Sequence, residues 1–247
     1  MIDAPPILIT GCPRSGASLI AFVINICGAY AGGVSVNEMY TNVDIKNTLV
    51  KPYLDRMGAD PEGQFPLPDS FGITIPLDWK ERVEAIIESQ GYVDGQWMYK
   101  DSRSALIWPL WNNSFPNAKW LIVRRRTADV IESCKQTAHM SAFKNQKNWQ
   151  ATKSRTEFAA WLWYVHQYEQ KFVEMVNNGL NCKIIWPERM LNKDYKQIHE
   201  VIEWLGLEWK DEALDPINTL LWGNPVKLKK GGKYNGTSNT VRGKTNS

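Results

Sequence analysis

The sequence predicts an α/β fold built on a parallel sheet flanked by helices, and three observations predict it. Short apolar runs alternate along the chain with longer helical patterns. The first run, Ile7-Leu8-Ile9-Thr10, is apolar without alternation, as in a strand covered on both faces. That run passes through Gly11 into a glycine-rich turn and then a second, longer apolar run. The chain has 247 residues, enough for a well-buried core in a single domain over 1–226.

The longer run, Ser18 to Cys27, is too continuous for a strand and stops at Gly28, so it reads as a buried helix. Residues 29–76 lack periodicity and carry Gly, Pro and Asn throughout, which predicts loops with short helices, the kind of segment that shapes substrate sites. Asp78 and Glu81 have the spacing of a capping box at the start of a helix whose inner face is Trp79, Val83, Ile86 and Ile87. Gln96 to Lys100 is the next strand. A helix over 105–115 then turns at Pro116-Asn117 into the strand Lys119 to Val123. Thr127 is the expected cap of a helix reaching Gln136, with Asp129 in its first turn. Phe158, Leu162, Val165, Phe172 and Val176 mark one stripe of a long helix over 156–177. The strand Cys182 to Trp186 and the helix Tyr195 to Leu205, stopped by Gly206, complete the alternation.

Composition narrows the function. A net charge of +3 suits anionic ligands but is too small for a nucleic-acid binder. The segment 227–247 holds six Lys or Arg and no acid among Gly, Asn, Ser and Thr, which predicts a solvated, flexible tail. Cys12, Cys27, Cys134 and Cys182 show no metal or disulfide spacing and read as buried free thiols in a reducing compartment. The chain starts without a basic and long apolar leader, and no stretch reaches eighteen apolar residues. The expectation is therefore a cytoplasmic protein without a membrane anchor. Most of the twelve tryptophans are expected in the core, with some free to line a pocket for a flat or sugar-like ligand.

The chemistry centres on Gly11-Cys12-Pro13-Arg14-Ser15-Gly16-Ala17-Ser18. This is the spacing of a nucleotide phosphate loop, except that Ala17 stands where nucleoside-triphosphate enzymes place lysine. Backbone amides of such a turn, aimed by the following helix, bind phosphate whatever side chains surround them. Without the lysine the turn suits a single 5′-phosphate, with Arg14 as its cation. A second cluster follows the strand ending at Val123: Arg125, Asp129 and Ser133, the last two one helical turn apart on one face.

Together these motifs resemble those of sulfotransferases that use 3′-phosphoadenosine 5′-phosphosulfate. The loop is similar to their P-[RK]-S-G-x-[ST] element, and Arg125, Asp129 and Ser133 fall on their R-x-x-x-D-x-x-x-S, which grips the donor's 3′-phosphate. Tyr99-Lys100-Asp101, Phe115-Pro116-Asn117-Ala118-Lys119, Trp186 to Leu191 and Trp204-Leu205-Gly206-Leu207 resemble further family elements in the same order. The resemblance spans about residues 7 to 210 and implies the phosphate-loop fold of the sulfotransferase type, with in-line sulfuryl transfer to a hydroxyl or amine on a small-molecule or carbohydrate acceptor. It implies no metal. It also implies Arg14, Ser15, Gly16, Ala17, Ser18, Arg125 and Ser133 as donor-binding residues, and Arg14 and Lys100 as cations at the transferred group.

The chain departs from the family in three places. Ser102 stands where cytosolic members carry a catalytic His, so Glu38 becomes the expected general base, followed by Asp101 and His139. Ala17 replaces a usual hydroxyl residue. Leu19 replaces an adenine-stacking Trp, leaving Trp222 or Tyr164 to cover the base, and Lys229-Lys230-Gly231-Gly232 faintly resembles a late R-K-G element. A phosphate-loop kinase or NTPase and a non-catalytic nucleotide-binding protein are the alternatives.

Overall fold

A computed structural model describes residues 2–34, 40–69 and 72–219. Glu38, Trp222 and the basic segment 227–247 lie outside the described residues. Four strands, β1 (Ile7–Gly11), β2 (Met98–Lys100), β3 (Lys119–Val123) and β4 (Cys182–Ile185), form one parallel sheet in the order β2-β1-β3-β4. Helix α1 (Ala17–Ile26) follows β1. Next come α2 (Val43–Ile45), a π-helical stretch Lys46–Val50, α3 (Lys51–Arg56) and α4 (Trp79–Ser89). Between β2 and β3 lie α5 (Arg103–Leu106) and α6 (Trp108–Ser114). Between β3 and β4 lie α7 (Thr127–Gln136), α8 (Gln146–Ala151) and α9 (Glu157–Asn177). Past β4 run α10 (Pro187–Leu191), α11 (Lys196–Leu205) and α12 (Leu214–Thr219).

The sheet separates two cores, and strand alternation decides which residue enters which. Leu8, Tyr99, Trp120 and Ile122 face α2–α9, whereas Ile7, Ile9, Met98, Leu121, Val123 and Ile185 face α1, α11 and α12. Trp79, Trp97, Trp111, Trp120 and Trp161 are all under 2% exposed, so the tryptophans serve the core first. Cys12, Cys27 and Cys134 are buried free thiols, and Cys182 is half-buried. Among the described residues no helix is long and apolar enough to cross a membrane.

Several local expectations give way to packing. Asp78 precedes α4 without a capping hydrogen bond, because its backbone (φ −93°, ψ 8°) is already turned toward the helix rather than extended as a cap requires. Thr127 is the first residue of α7, and extended Arg126 takes the cap position. The helix expected over 105–115 is broken at Ile107, where Pro109 is received in the first turn of α6 and so needs no amide partner.

On α9 the buried stripe is Trp161, Tyr164, Val165, Tyr168, Phe172 and Met175, while Phe158, Leu162 and Val176 are exposed. The aromatic side wins because each ring removes more surface from water than an aliphatic side chain, and the phenols find acceptors inside. Tyr164 and Tyr168 donate to the Gly63 carbonyl at 2.8 and 3.4 Å. Tyr164 is 0% exposed, which removes it as a cover for a ligand's base.

Chain connections leave β1 toward β2 on one side, and leave β3 toward β4 on the other. The crevice above the carboxyl ends of β1 and β3 is therefore the topological switch point, where open α/β sheets bind ligands. Gly11 pairs in register with Val123. A Cβ on Gly11 would lie 2.4 Å from the Val123 carbonyl oxygen and 2.5 Å from Ser15 Oγ. Gly11→Ala is expected to lower stability by about 1–3 kcal/mol, the cost of overpacking a rigid site. Urea unfolding measures it, and an unchanged midpoint would show that the two strands part freely.

Candidate functional site

A cleft of about 1080 Å³ opens over the carboxyl ends of β2, β1 and β3. The sequence-predicted residues that can be described, Arg14 to Ser18, Lys100, Asp101, Arg125, Ser133 and His139, all line it.

The turn after β1 is shaped by Ser15 N donating to Cys12 O at 2.9 Å, by Arg14 with φ +73° and by Gly16 with φ +95°. A left-handed backbone costs an arginine about 1 kcal/mol or more, and such strain collects at functional turns. Ser15 is 2% exposed, with its hydroxyl on the side of Gly11. Gly16 caps α1 without a side chain, and the first amides of α1 at Ala17 and Ser18 have no acceptor within the helix. These donors and the positive end of the α1 dipole face the cleft.

The second cluster meets the first directly. Arg14 Nε donates to Ser133 Oγ at 3.0 Å, and Arg125 Nη1 donates to the Arg14 carbonyl at 3.2 Å. Asp129, in the first turn of α7, accepts from Arg126 Nε at 2.8 Å and so orients that neighbour. The backbone of β1 and β3 makes this meeting unavoidable, since their ends are paired residue for residue.

At the β2 end, Lys100 is 8% exposed and donates to Thr41 Oγ1 at 3.3 Å. Burial above all, with Arg103, Lys46 and Arg14 nearby and Asp101 opposing them, lowers its pKa to about 8. Asp101 is also buried. Its oxygens accept from Tyr99 Oη at 2.8 Å, Arg103 N at 3.0 Å and Arg103 Nε at 3.0 Å, and Arg103 is the main force holding the carboxyl acidic against desolvation. A carboxylate so occupied is a poor proton acceptor. His139 lies on the opposite rim with its pKa lowered, by partial desolvation first and then by Arg14, so it is neutral near pH 7.

Sequence reading misses Thr41, Lys46, Asn47, Lys51, Glu62 and Arg103, which also line the cleft. Their one local signal is Asn42, whose side chain caps α2 by accepting from Ile45 N at 3.3 Å and marks a helix start just beyond Thr41.

A family model described as "Sulfotransferase family" matches residues 5–211. The fold is similar to the sulfotransferase domain of the Synechococcus PCC 7002 olefin synthase, at 13% identity and a TM-score of 0.51, over 91% of this chain and 82% of that one. It is also similar to sulfotransferase STF9 from Mycobacterium avium, at 13% identity and a TM-score of 0.51, over 87% of this chain and 67% of that one. Among curated proteins no sequence matches.

The lowered pKa of Lys100 carries a stability consequence with a definite sign. Between its folded value of about 8 and an ordinary 10.5, the unfolded chain holds this proton more tightly, so Lys100 destabilises the unliganded fold at neutral pH and ceases to do so as pH rises through that window. Lys100→Met is therefore expected to stabilise the unliganded protein at pH 7 by up to about 3 kcal/mol, with the gain shrinking toward pH 10. Urea midpoints across that range measure it, and a gain independent of pH would mean the ammonium is well solvated.

Proposed function

The chain belongs to the sulfotransferase family, and on that premise we propose that it moves a sulfuryl group from 3′-phosphoadenosine 5′-phosphosulfate to a hydroxyl or amine acceptor by in-line transfer. The observation that carries this reading is the junction of Arg14, Ser133 and Arg125 in one cleft. A donor with phosphates at both ends of one nucleoside needs two anion sites on a common face, and the turn after β1 beside the start of α7 supplies them. The fit extends to charge, because Arg14, Arg125 and Lys100 converge on the same crevice.

In this reading the amides of Gly16, Ala17 and Ser18, with the Ser18 hydroxyl, hold the 5′-phosphate, and Ser15 keeps the turn in shape. Arg125 and Ser133 hold the 3′-phosphate. When bound, the donor supplies a sulfuryl group whose S–O bond to the 5′-phosphate breaks as the acceptor oxygen attacks, the electron pair staying on the phosphate and the acceptor's proton passing to a base. Arg14 offsets the charge that collects on the departing phosphate, and Lys100 holds the sulfuryl oxygens, both fixed in place before reaction. Glu38 is the proposed base. His139 is the second reading, supported by its neutral imidazole on the rim of the cleft. The saturated carboxylate of Asp101 takes it out of that role and leaves it to orient Arg103.

Arg125→Ala is expected to weaken binding of adenosine 3′,5′-bisphosphate by about 1.5–3 kcal/mol, the scale of a charged hydrogen bond. Calorimetry reads it, and an unaltered affinity would remove Arg125 from the 3′-phosphate. ATP with Mg²⁺ binding more tightly than the bisphosphate would favour a kinase or NTPase instead. Glu38→Gln is expected to cut turnover by about 10²-fold or more. Full turnover in that variant, with a collapse in His139→Ala, would transfer the role to the histidine, and a parent that binds the bisphosphate yet transfers to no acceptor would favour a binding protein.

A further inference from the structure

Tyr40, Thr41 and Asn42, consecutive in the chain, are each tied to a different element. Tyr40 donates its hydroxyl to Asn25 Oδ1 on α1 at 3.2 Å, and its ring centroid lies 4.8 Å from that of Phe22. Asn42 donates through Nδ2 to Gln90 Oε1, just past α4, at 2.7 Å, and its own Oδ1 accepts from Ile45 N at 3.3 Å. Gln90 also accepts from Gly33 N at 2.8 Å and donates to Asp44 Oδ2 at 2.6 Å. Backbone anchored on both sides leaves the residue between little freedom. That residue is Thr41, 5% exposed and part of the cleft lining.

The third tie runs to β2, where Thr41 Oγ1 accepts from Lys100 Nζ at 3.3 Å. Branching at Cβ restricts χ1, so a fixed backbone at a threonine also fixes its hydroxyl. Charged groups surround the same ammonium: Asp101 favours its protonated form, while Arg103, Lys46 and Arg14 oppose it. Asp101 turns its oxygens to Tyr99 Oη at 2.8 Å and to Arg103 N and Nε at 3.0 Å each. Coulomb terms fall slowly with distance and set no direction, whereas a hydrogen bond depends on its geometry. An uncharged hydroxyl therefore fixes where an ammonium stands at little cost to its charge, which a carboxylate in that place would offset.

On the sulfuryl-transfer reading, in which Lys100 holds the transferred group, we propose that Thr41 is the positioning residue of Lys100. Its hydroxyl, held through Tyr40 and Asn42, takes one proton of the ammonium and sets where the head group stands in the cleft. Two consequences separate this role from packing. The hydroxyl accepts more strongly from the ammonium than from the neutral amine, so removing it lets Lys100 lose its proton at still lower pH than the value of about 8 that burial mainly sets. A displaced ammonium also serves the transition state less well while the donor still binds, which lowers kcat and not donor affinity.

Thr41→Val replaces the hydroxyl by a methyl of similar size, and Thr41→Ser keeps the hydroxyl. The Lys100 ε-carbon resonance, assigned by its absence in Lys100→Met, is followed through an alkaline titration of the unliganded protein. The midpoint in Thr41→Val is expected about 0.5–1 pH unit below the parent, the equivalent of one hydrogen bond, with Thr41→Ser close to the parent. Turnover is followed as release of adenosine 3′,5′-bisphosphate from the donor, with water or an added alcohol as acceptor. In Thr41→Val kcat is expected to fall about ten-fold with the donor KM within about two-fold, and Thr41→Ser recovers most of it. Thr41→Ala replaces the valine variant if that one fails to fold. An unchanged midpoint on loss of the hydroxyl would overturn the proposal. So would a serine variant that behaves like valine, or a loss confined to KM. Where the parent releases no bisphosphate, the titration decides by itself. Failure of the bisphosphate to bind the parent, with the midpoint still shifted, would remove the donor reading and leave the pairing of Thr41 with Lys100 standing.

Discussion

The close parallel pairing of β1 with β3 is the constraint on which the site rests. At its upper end the two backbones approach until only a hydrogen fits on Gly11, facing the Val123 carbonyl. Everything that follows the two strands inherits that proximity. The turn after β1 and the arginines after β3 start side by side, so the Arg14 carbonyl accepts from Arg125 and the Arg14 side chain reaches Ser133 one turn into α7. The ladder hydrogen bonds that stabilise the sheet thus also set where the turn after β1 and the arginines after β3 begin.

The larger core has a second effect on the site. Its aromatic side, centred on α9, buries two tyrosine hydroxyls that must find acceptors, and both use the carbonyl of Gly63 in the loop over 60–66. Asp60 accepts from the amides of Glu62, Gln64 and Phe65, and the Gln64 side chain bonds to His139 O and to the amides of Ser141 and Ala142. The loop that presents Glu62 to Arg103 and Lys51 is thereby tied to the core and to the segment after α7. Satisfying buried phenols and forming one wall of the cleft are a single event.

Some charges of the cleft, Lys100 and Asp101 among them, are held where water is scarce. Lys100 shows the consequence most clearly, since its pKa falls to about 8 from burial and from the cations around it. In the sulfuryl-transfer reading, a buried cation fixed in this way would meet the donor's charge with little reorganisation. Asp101 illustrates the opposite case. Matched to Arg103, it contributes order to the wall and leaves no net charge for a ligand.

Features encoded in short contiguous stretches were legible in the sequence. The run from Ile7 to Ser18 specifies a strand, a turn and a helix start through local backbone preferences, and Asp129 and Ser133 fall by spacing alone on one face of the helix that starts two residues beyond Arg125. Both stretches carried the family resemblance, and the parallel sheet followed from strands that read as apolar runs. Helix ends were less legible, as at Asp78 and Thr127, because a cap depends on the dihedral angles of the residue before the helix as much as on its identity. The exposed side of α9 could not be read because aliphatic and aromatic residues both lie on apolar stripes, and only the neighbours decide which one is covered. The wall of the cleft at the β2 end was invisible for the same reason: Lys46, Glu62 and Arg103 come from separate segments, and their burial and pairing are sums over residues distant along the chain. By itself the sequence determined the glycine-rich turn after the first strand, the second arginine-serine cluster and the α/β class, since each depends on near neighbours. Only the tertiary structure decided which charges stand together and how far water is kept from them, since desolvation and Coulomb energy depend on distances in space.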